Sequence, residues 1–226
     1  MTRIVKDPDV RRNEILNAAQ QLFYTKGYEQ TAVRDIINAI GIAKGTFYYY
    51  FHSKEELLDA LVVHLLQQVV VVVEPMVDDP QLSALEKLQK LFADTTTLKL
   101  ENRALIETLL PVWYKDENAI MREKMKAASS EYIAPLFTRI VQQGVAQGVF
   151  DTPYPDEIGL VILQMGENMS EAIVKLMVEE EWGMAAFVAI QRLVTVYQHA
   201  MIRLLGAPAN SITLIDMESY RQWFTT

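Results

Sequence analysis

Apolar residues in this chain return every third or fourth position almost from end to end, a period that only α-helices with one buried face can use. Ile15, Ala19, Leu22 and Phe23 share one such face. Val33, Ile36, Ile37 and Ile40 share a second, and Leu57, Leu58, Leu61, Leu65 and Val69 a third. Glycines and prolines punctuate the pattern. Asp7-Pro8 suits a helix start and Gly27 a helix end. Thr31 is placed to cap a second helix that Gly41 stops. A short third helix is expected over residues 44–50. Ser53-Lys54-Glu55-Glu56 has capping-box spacing and opens a long fourth helix ending near Pro75. Val69–Val73 is a run of strand-prone residues, but no partner strand is evident, so it is read as helical. Further helices are expected from Asp79-Pro80 through Phe92, over 102–110 up to Pro111, over 117–147, 156–180 and 184–205, with a short one near 213–223.

Charge separates one part of the chain from the rest. The whole carries a net −8. Residues 1–55 hold eight Lys/Arg against six Asp/Glu, a balance of +2, and the remainder holds 13 against 23, or −10. Only the head suits an anionic partner. There is no cysteine, which excludes a disulfide framework and thiolate chemistry. The first residues, MTRIVKDPDVRRNE, lack the apolar stretch of a secretory signal. The apolar run from Leu61 to Val73 is short for a membrane span and is interrupted by His64, Gln67 and Gln68. These features lead us to expect a cytoplasmic protein with no membrane partner. His52, His64 and His199 are scattered, and no zinc-protease, Walker, dinucleotide or nucleophile-elbow motif occurs. No catalytic residue, metal site or cofactor is therefore expected, and the chain is not read as an enzyme.

The segment GIAKGTFYYYF, Gly41 to Phe51, is the densest chemical feature of the head. At 100° per residue Phe47 and Phe51 fall on one face and can meet Val33, Ile36 and Ile40. Gly45 and Tyr49 then point the other way, flanked by Thr46 and Tyr48. Two short helices joined by a glycine turn form a helix-turn-helix, whose second helix places its first residues on base edges in the DNA major groove. Lys44 and Thr46 can donate to bases or phosphates, and Gly45 allows close approach. Thr31, Arg34 and Lys54 stand at helix starts where phosphates bind.

TAVRDIINAIGIAKGTFYYYFHSKEELLDAL, Thr31 to Leu61, with RRNEILNAAQQLFYTKGYEQ before it, resembles the DNA-binding signature of the tetracycline-repressor (TetR/AcrR) family. The resemblance implies an all-α fold. An N-terminal three-helix helix-turn-helix domain, residues 1–53, is joined by a long fourth helix to a ligand-binding and dimerisation domain, residues 54–226. It implies a homodimeric, ligand-responsive transcription regulator, usually a repressor, on a palindromic operator in double-stranded DNA. It assigns DNA contact to Thr31, Arg34, Lys44, Gly45, Thr46, Tyr48, Tyr49 and Lys54. Ala43 departs from the family pattern where a serine or threonine often caps the recognition helix, and Tyr50 where histidine is frequent.

The resemblance fades after about residue 65. The helices near 156–180 and 184–205 correspond to those that pair between copies in the family. Their stripes here are Ile158, Val161, Ile162, Met165, Met169 and Ile173, then Phe187, Ile190, Val194, Tyr197, Met201 and Leu205. Aromatics and methionines with scattered polar groups suit a hydrophobic or amphipathic effector of unknown identity. The candidate ligand residues are His64, Phe92, Arg103, Glu107, Trp113, Met125, Met165, Asn168 and Met169. The competing expectation is a ligand-binding or protein-interaction module whose helix-turn-helix no longer binds DNA.

Overall fold

The computed structural model describes residues 7–101, 103–179, 183–221 and 224, and every regular element among them is helical. The head is built from α1 (Pro8–Lys26), α2 (Val33–Ile40), α3 (Lys44–Tyr50) and the start of α4 (Lys54–Val77). Asp7 caps α1 by accepting from the Asp9 N–H at 2.9 Å, with Pro8 in the first turn. Gly41 closes α2 in the left-handed region, φ 71°, and its N–H donates to the Ile37 carbonyl. Ser53 and Glu56 open α4 much as a capping box does. The Ser53 hydroxyl accepts from the Glu56 N–H at 3.0 Å, while the Glu56 carboxylate reaches back to the His52 N–H at 2.7 Å.

One expected cap is absent. Thr31 does not cap α2: Ala32 holds that position, and Asp35 supplies the bond, accepting from the Ala32 N–H at 3.1 Å. The Thr31 hydroxyl is turned inward and donates to the Gly27 carbonyl at 2.7 Å. No side chain caps α3 at Ala43.

The helices beyond the head are α5 (Ala84–Glu101), α6 (Arg103–Trp113), α7 (Ala119–Tyr132), α8 (Ala134–Ala146), α9 (Ile158–Glu179), α10 (Met184–Leu205) and α11 (Met217–Tyr220). Several limits differ from those expected. Asp79 forms a turn, accepting from the Gln81 N–H, and α5 starts later on a Ser83/Glu86 capping box. The expected helix over 117–147 is two helices. Pro135 can neither donate to the preceding turn nor avoid its carbonyl, and the chain breaks at Ile133. α4 ends near Pro75, as expected, at Val77 two residues beyond it, whereas Pro111, expected to stop α6, lies inside that helix. Both helices are capped by a basic side chain at the end beyond the proline. The buried Lys87 ammonium donates to the Val77 carbonyl at 2.6 Å and to Gln143 Oε1 at 2.7 Å. The Arg122 guanidinium donates to the Trp113 and Lys115 carbonyls at 2.5 and 2.9 Å. A cation on C-terminal carbonyls that have no partner within the helix satisfies them and suits the negative end of the helix dipole. The tail helix is a single turn, α11. Glu180 and Glu181, which with Glu179 form an acidic run in the sequence, lie outside the described residues.

Residues 1–68 and 107–128 form one compact unit and residues 69–106 and 129–226 a second, so α4, α6 and α7 each have residues in both. The first unit buries Ile15, Leu16, Phe23, Ile36, Phe47, Phe51, Leu57, Leu58, Leu61 and Met121. In the second, α9 packs between α8 and α10, and α5 lies on α8. Its core includes Leu88, Leu136, Ile140, Ile162, Met169, Ile190, Val194, Met201 and Leu205. By length and composition α4, at 24 residues, is long and apolar enough to cross a membrane, which the interrupted run in the sequence did not suggest. Its Leu57, Leu58, Leu61, Val62 and Leu66 are buried against protein, while 22% of its most apolar 18-residue window is buried in all.

Candidate nucleic-acid interface

The geometry of α3 follows from its aromatic spacing. Phe47 and Phe51 are fully buried, with ring centroids 6.1 Å apart. The Arg12 guanidinium lies 5.3 Å from the Phe51 ring centre. On the other side Tyr49 is 76% exposed and Tyr48 40% exposed. Tyr48 meets Phe47 edge-on and carries the Lys44 ammonium 5.7 Å over its ring. Tyr50 meets Tyr49 edge-on at 5.0 Å. Tyr48 is thus braced by the buried Phe47, and Tyr49 by the half-buried Tyr50. Lys44 and Gly45 are exposed at the start of the helix and Thr46 is half-buried. α2 packs against both α1 and α3, and Arg34 stands exposed in its first turn.

Two side chains assigned to DNA by resemblance are engaged within the head. Thr31 is buried. Lys54 is half-buried, its ammonium donating to the Tyr28 carbonyl at 2.9 Å and the Glu29 carbonyl at 3.4 Å, 4.2 Å from the Tyr28 ring centre. The start of α2 is fixed to the end of α1 by Lys26, whose ammonium meets the Asp35 carboxylate at 2.5 Å. That bond, with the one from the Ala32 N–H, holds the Asp35 carboxyl below the usual range. Burial pushes the Tyr28 phenol up, and the Glu29 and Glu55 carboxylates add to the effect.

The expected ligand residues divide between the two compact units. His64, Glu107, Trp113 and Met125 belong to the first, where His64 Nε2 lies 3.1 Å from Gln68 Nε2 and Trp113 meets Tyr24 edge-on at 5.9 Å. Phe92, Met165, Asn168 and Met169 belong to the second, where Met169 is buried in the core, Phe92 and Met165 pack against it and Asn168 is exposed. The Arg103 side chain lies outside the described residues. No group of three or more metal-ligating side chains occurs among the described residues. Sequence reasoning passed over Arg12, which stacks under the head, and Asn118, which is wholly buried. Arg12 lies in the segment that resembles the family signature but has no role assigned there, and Asn118 sits in no motif.

A short helix presenting tyrosines, a lysine and a glycine, held by a helix-turn-helix among further helices, is an arrangement that suits the DNA major groove. The profile of bacterial regulatory proteins of the tetR family matches residues 15–61, which span this entire site. Solved structures extend the likeness over most of the chain. A protein from Syntrophomonas wolfei assigned to the TetR family is 25% identical, with a TM-score of 0.57, over 84% of this chain and 96% of that one. The transcriptional regulator FadR from Bacillus subtilis, in complex with stearoyl-CoA, is 21% identical, with a TM-score of 0.58, over 87% of this chain and 98% of that one. The regulatory protein TetR from Rhodobacter sphaeroides is 17% identical, with a TM-score of 0.55, over 87% and 97%. No curated protein matches the sequence. Residues 15–61 thus match the DNA-binding segment of tetR-family regulatory proteins, and the rest of the chain shares their all-helical fold.

Proposed function

We propose that the chain is a homodimeric repressor that grips a palindromic operator through residues 31–54 of each copy and is released by a hydrophobic or amphipathic small molecule. The observation that carries this reading is the division of α3: buried phenylalanines on one side, and on the other a 76%-exposed Tyr49 beside Lys44 and Gly45. Large rings are left in water at a mildly basic surface, where a phosphate backbone and thymine methyls would cover them. Lys44, Gly45, Thr46, Tyr48 and Tyr49 form the reading surface, and Arg34 adds a phosphate contact. Lys54 uses two of its three N–H donors on carbonyls, which leaves one for a phosphate. Thr31, being buried, acts by holding the start of α2.

A helix of seven residues reads few base pairs, and two symmetric copies read two half-sites about 34 Å apart. Most of the α9 and α10 stripe residues named from sequence are core within one chain. Leu160 and Val161 on α9 and Val188 and Val196 on α10 remain exposed, and they support pairing between copies there. The Bacillus subtilis relative is bound to stearoyl-CoA, which supports an amphipathic effector in a body rich in methionine. In this reading residues 1–53 are the DNA domain, residues 54–226 bind effector and partner copy, and α4 is the lever between them. Effector binding shifts the population toward a spacing of α3 helices that no longer matches successive major grooves. The protein acts in the cytoplasm, with the chromosome as its partner.

Selection of duplexes from a random pool by the full-length protein tests the proposal. An enriched inverted repeat with half-sites one helical turn apart, or a multiple of it, is expected. Enrichment of a single asymmetric half-site, or none, contradicts it.

A further inference from the structure

Asn118 is a wholly buried polar residue that the DNA reading does not use. It lies in the 3-10 turn Asp116–Asn118 between α6 and α7. Its Oδ1 accepts from the Tyr28 N–H at 2.8 Å, ninety positions away in sequence. Its Nδ2 donates to the Val112 carbonyl at 3.0 Å and toward the Phe23 carbonyl at 3.4 Å. The neighbouring Glu117 carbonyl accepts from the Glu29 N–H at 3.1 Å. The fit is close: a Cβ on Gly27, whose φ is +92°, would stand 3.2 Å from the Glu117 Cβ. All of these residues belong to the first compact unit.

The opposite edge of the same α1–α2 turn faces the DNA residues. The Tyr28 and Glu29 carbonyls hold the Lys54 ammonium, and the Tyr28 carbonyl also accepts from the Thr31 N–H at 3.2 Å. The Gly27 carbonyl takes the Thr31 hydroxyl. The turn therefore has two edges. Its amide donors are fixed by residues 117 and 118, and its acceptors fix the starts of α2 and α4. Breaking one of these bonds leaves a buried polar group unpaired, which is costly, so the contact is a joint that resists partial loosening.

We propose that Asn118 is a positioning residue: it sets the α1–α2 turn and, through that turn, the Lys54 ammonium and the start of α2, so that the α6–α7 junction is an input to the DNA face separate from α4. The proposal rests on the DNA-binding reading above. α6 and α7 both have residues in the second unit, so a change there has a covalent path to the junction.

Coupling between two sites is reciprocal, so DNA must act on the junction as the junction acts on DNA. Hydrogen exchange of the full-length protein, alone and with the duplex recovered by selection, reads this. In the wild type the duplex should slow exchange about tenfold at residues 28–35 and also at 112–119. Asn118→Leu should bind the duplex about tenfold more weakly. Its salt slope should be smaller by about 0.9, the share of one phosphate contact, and 112–119 should no longer respond to DNA. A wild type in which the duplex slows 28–35 and leaves 112–119 unchanged overturns the proposal, whether or not the variant folds. Should the selection recover no duplex, the DNA reading itself fails, and the joint is still tested on the protein alone. There Asn118→Leu, or the isosteric Asn118→Asp if the leucine variant does not fold, must speed exchange at 28–35. Faster exchange confined to 112–119 overturns it.

Discussion

Two stretches of this chain put large apolar side chains in water, and they do so for different reasons. On α3 the exposed groups are Tyr48 and Tyr49, each with a hydroxyl, among Lys44, Gly45 and Thr46, and each backed by another ring. On α4 they are Val69, Val71 and Val72, the last two more than 70% exposed, with only methyl groups to offer. A braced ring with a hydroxyl tip can meet sugar, base methyl and phosphate in one contact. A valine can meet only another apolar surface. Exposure alone therefore does not mark a DNA face. What marks it is exposure together with polar reach and a rigid support.

Substitutions on either side of this comparison sharpen it. The largest effect is expected at the support. Phe47→Ala removes a fully buried ring and should cost about 3–5 kcal/mol in urea unfolding, as truncated core aromatics do. Next is Tyr49→Ala, which should weaken operator binding about tenfold, or 1.4 kcal/mol, and leave the melting temperature in place. A fall in melting temperature instead would make Tyr49 a core residue and erase the distinction drawn on α3. A smaller effect is expected where α2 is tied to α1. The Asp35 carboxyl is held below its usual range by Lys26, so its contribution to stability is present above the ordinary aspartate value and is lost as pH falls through the lower folded value. Asp35→Asn should lower the melting temperature at neutral pH, with the gap from wild type closing in acid; a gap independent of pH would contradict that origin. The smallest effect belongs to the valines. Val71→Thr/Val72→Thr should change stability by no more than about 0.5 kcal/mol and leave DNA affinity unchanged.

The head was legible in the sequence because local rules act there without competition. Pro8, Gly41 and the Ser53/Glu56 pair sit where caps and turns need them, and the four-residue spacing of Phe47 and Phe51 sorts the rings of α3 into two faces. The exception in the head is Thr31: it looked like a cap because it precedes a helix, but Asp35 reached back to do that work and released Thr31 inward. Elsewhere distant residues decided the outcome. Pro111 looked like a stop, yet α6 runs on to Trp113, whose carbonyl Arg122 holds. Pro135, which does break a helix, was passed over inside a long apolar period. Asn118 carries no motif at all, since its partners lie across the chain. The stripes on α9 and α10 were recognised as apolar, but period alone could not separate residues facing their own chain, such as Ile190 and Val194, from exposed Val188 and Val196.

The account turns on whether the exposed side of α3 meets DNA. Fluorescence anisotropy with the selected duplex, at two salt concentrations, tests that most directly when wild type is set beside Lys44→Ala/Tyr49→Ala. The account predicts salt-sensitive binding by the wild type. It also predicts a much weaker complex for the double variant, whose log–log salt slope is smaller by about 0.9 for the lost lysine–phosphate contact, at an unchanged melting temperature. Equal affinity and equal slope for the two proteins would contradict it and move any DNA contact away from α3.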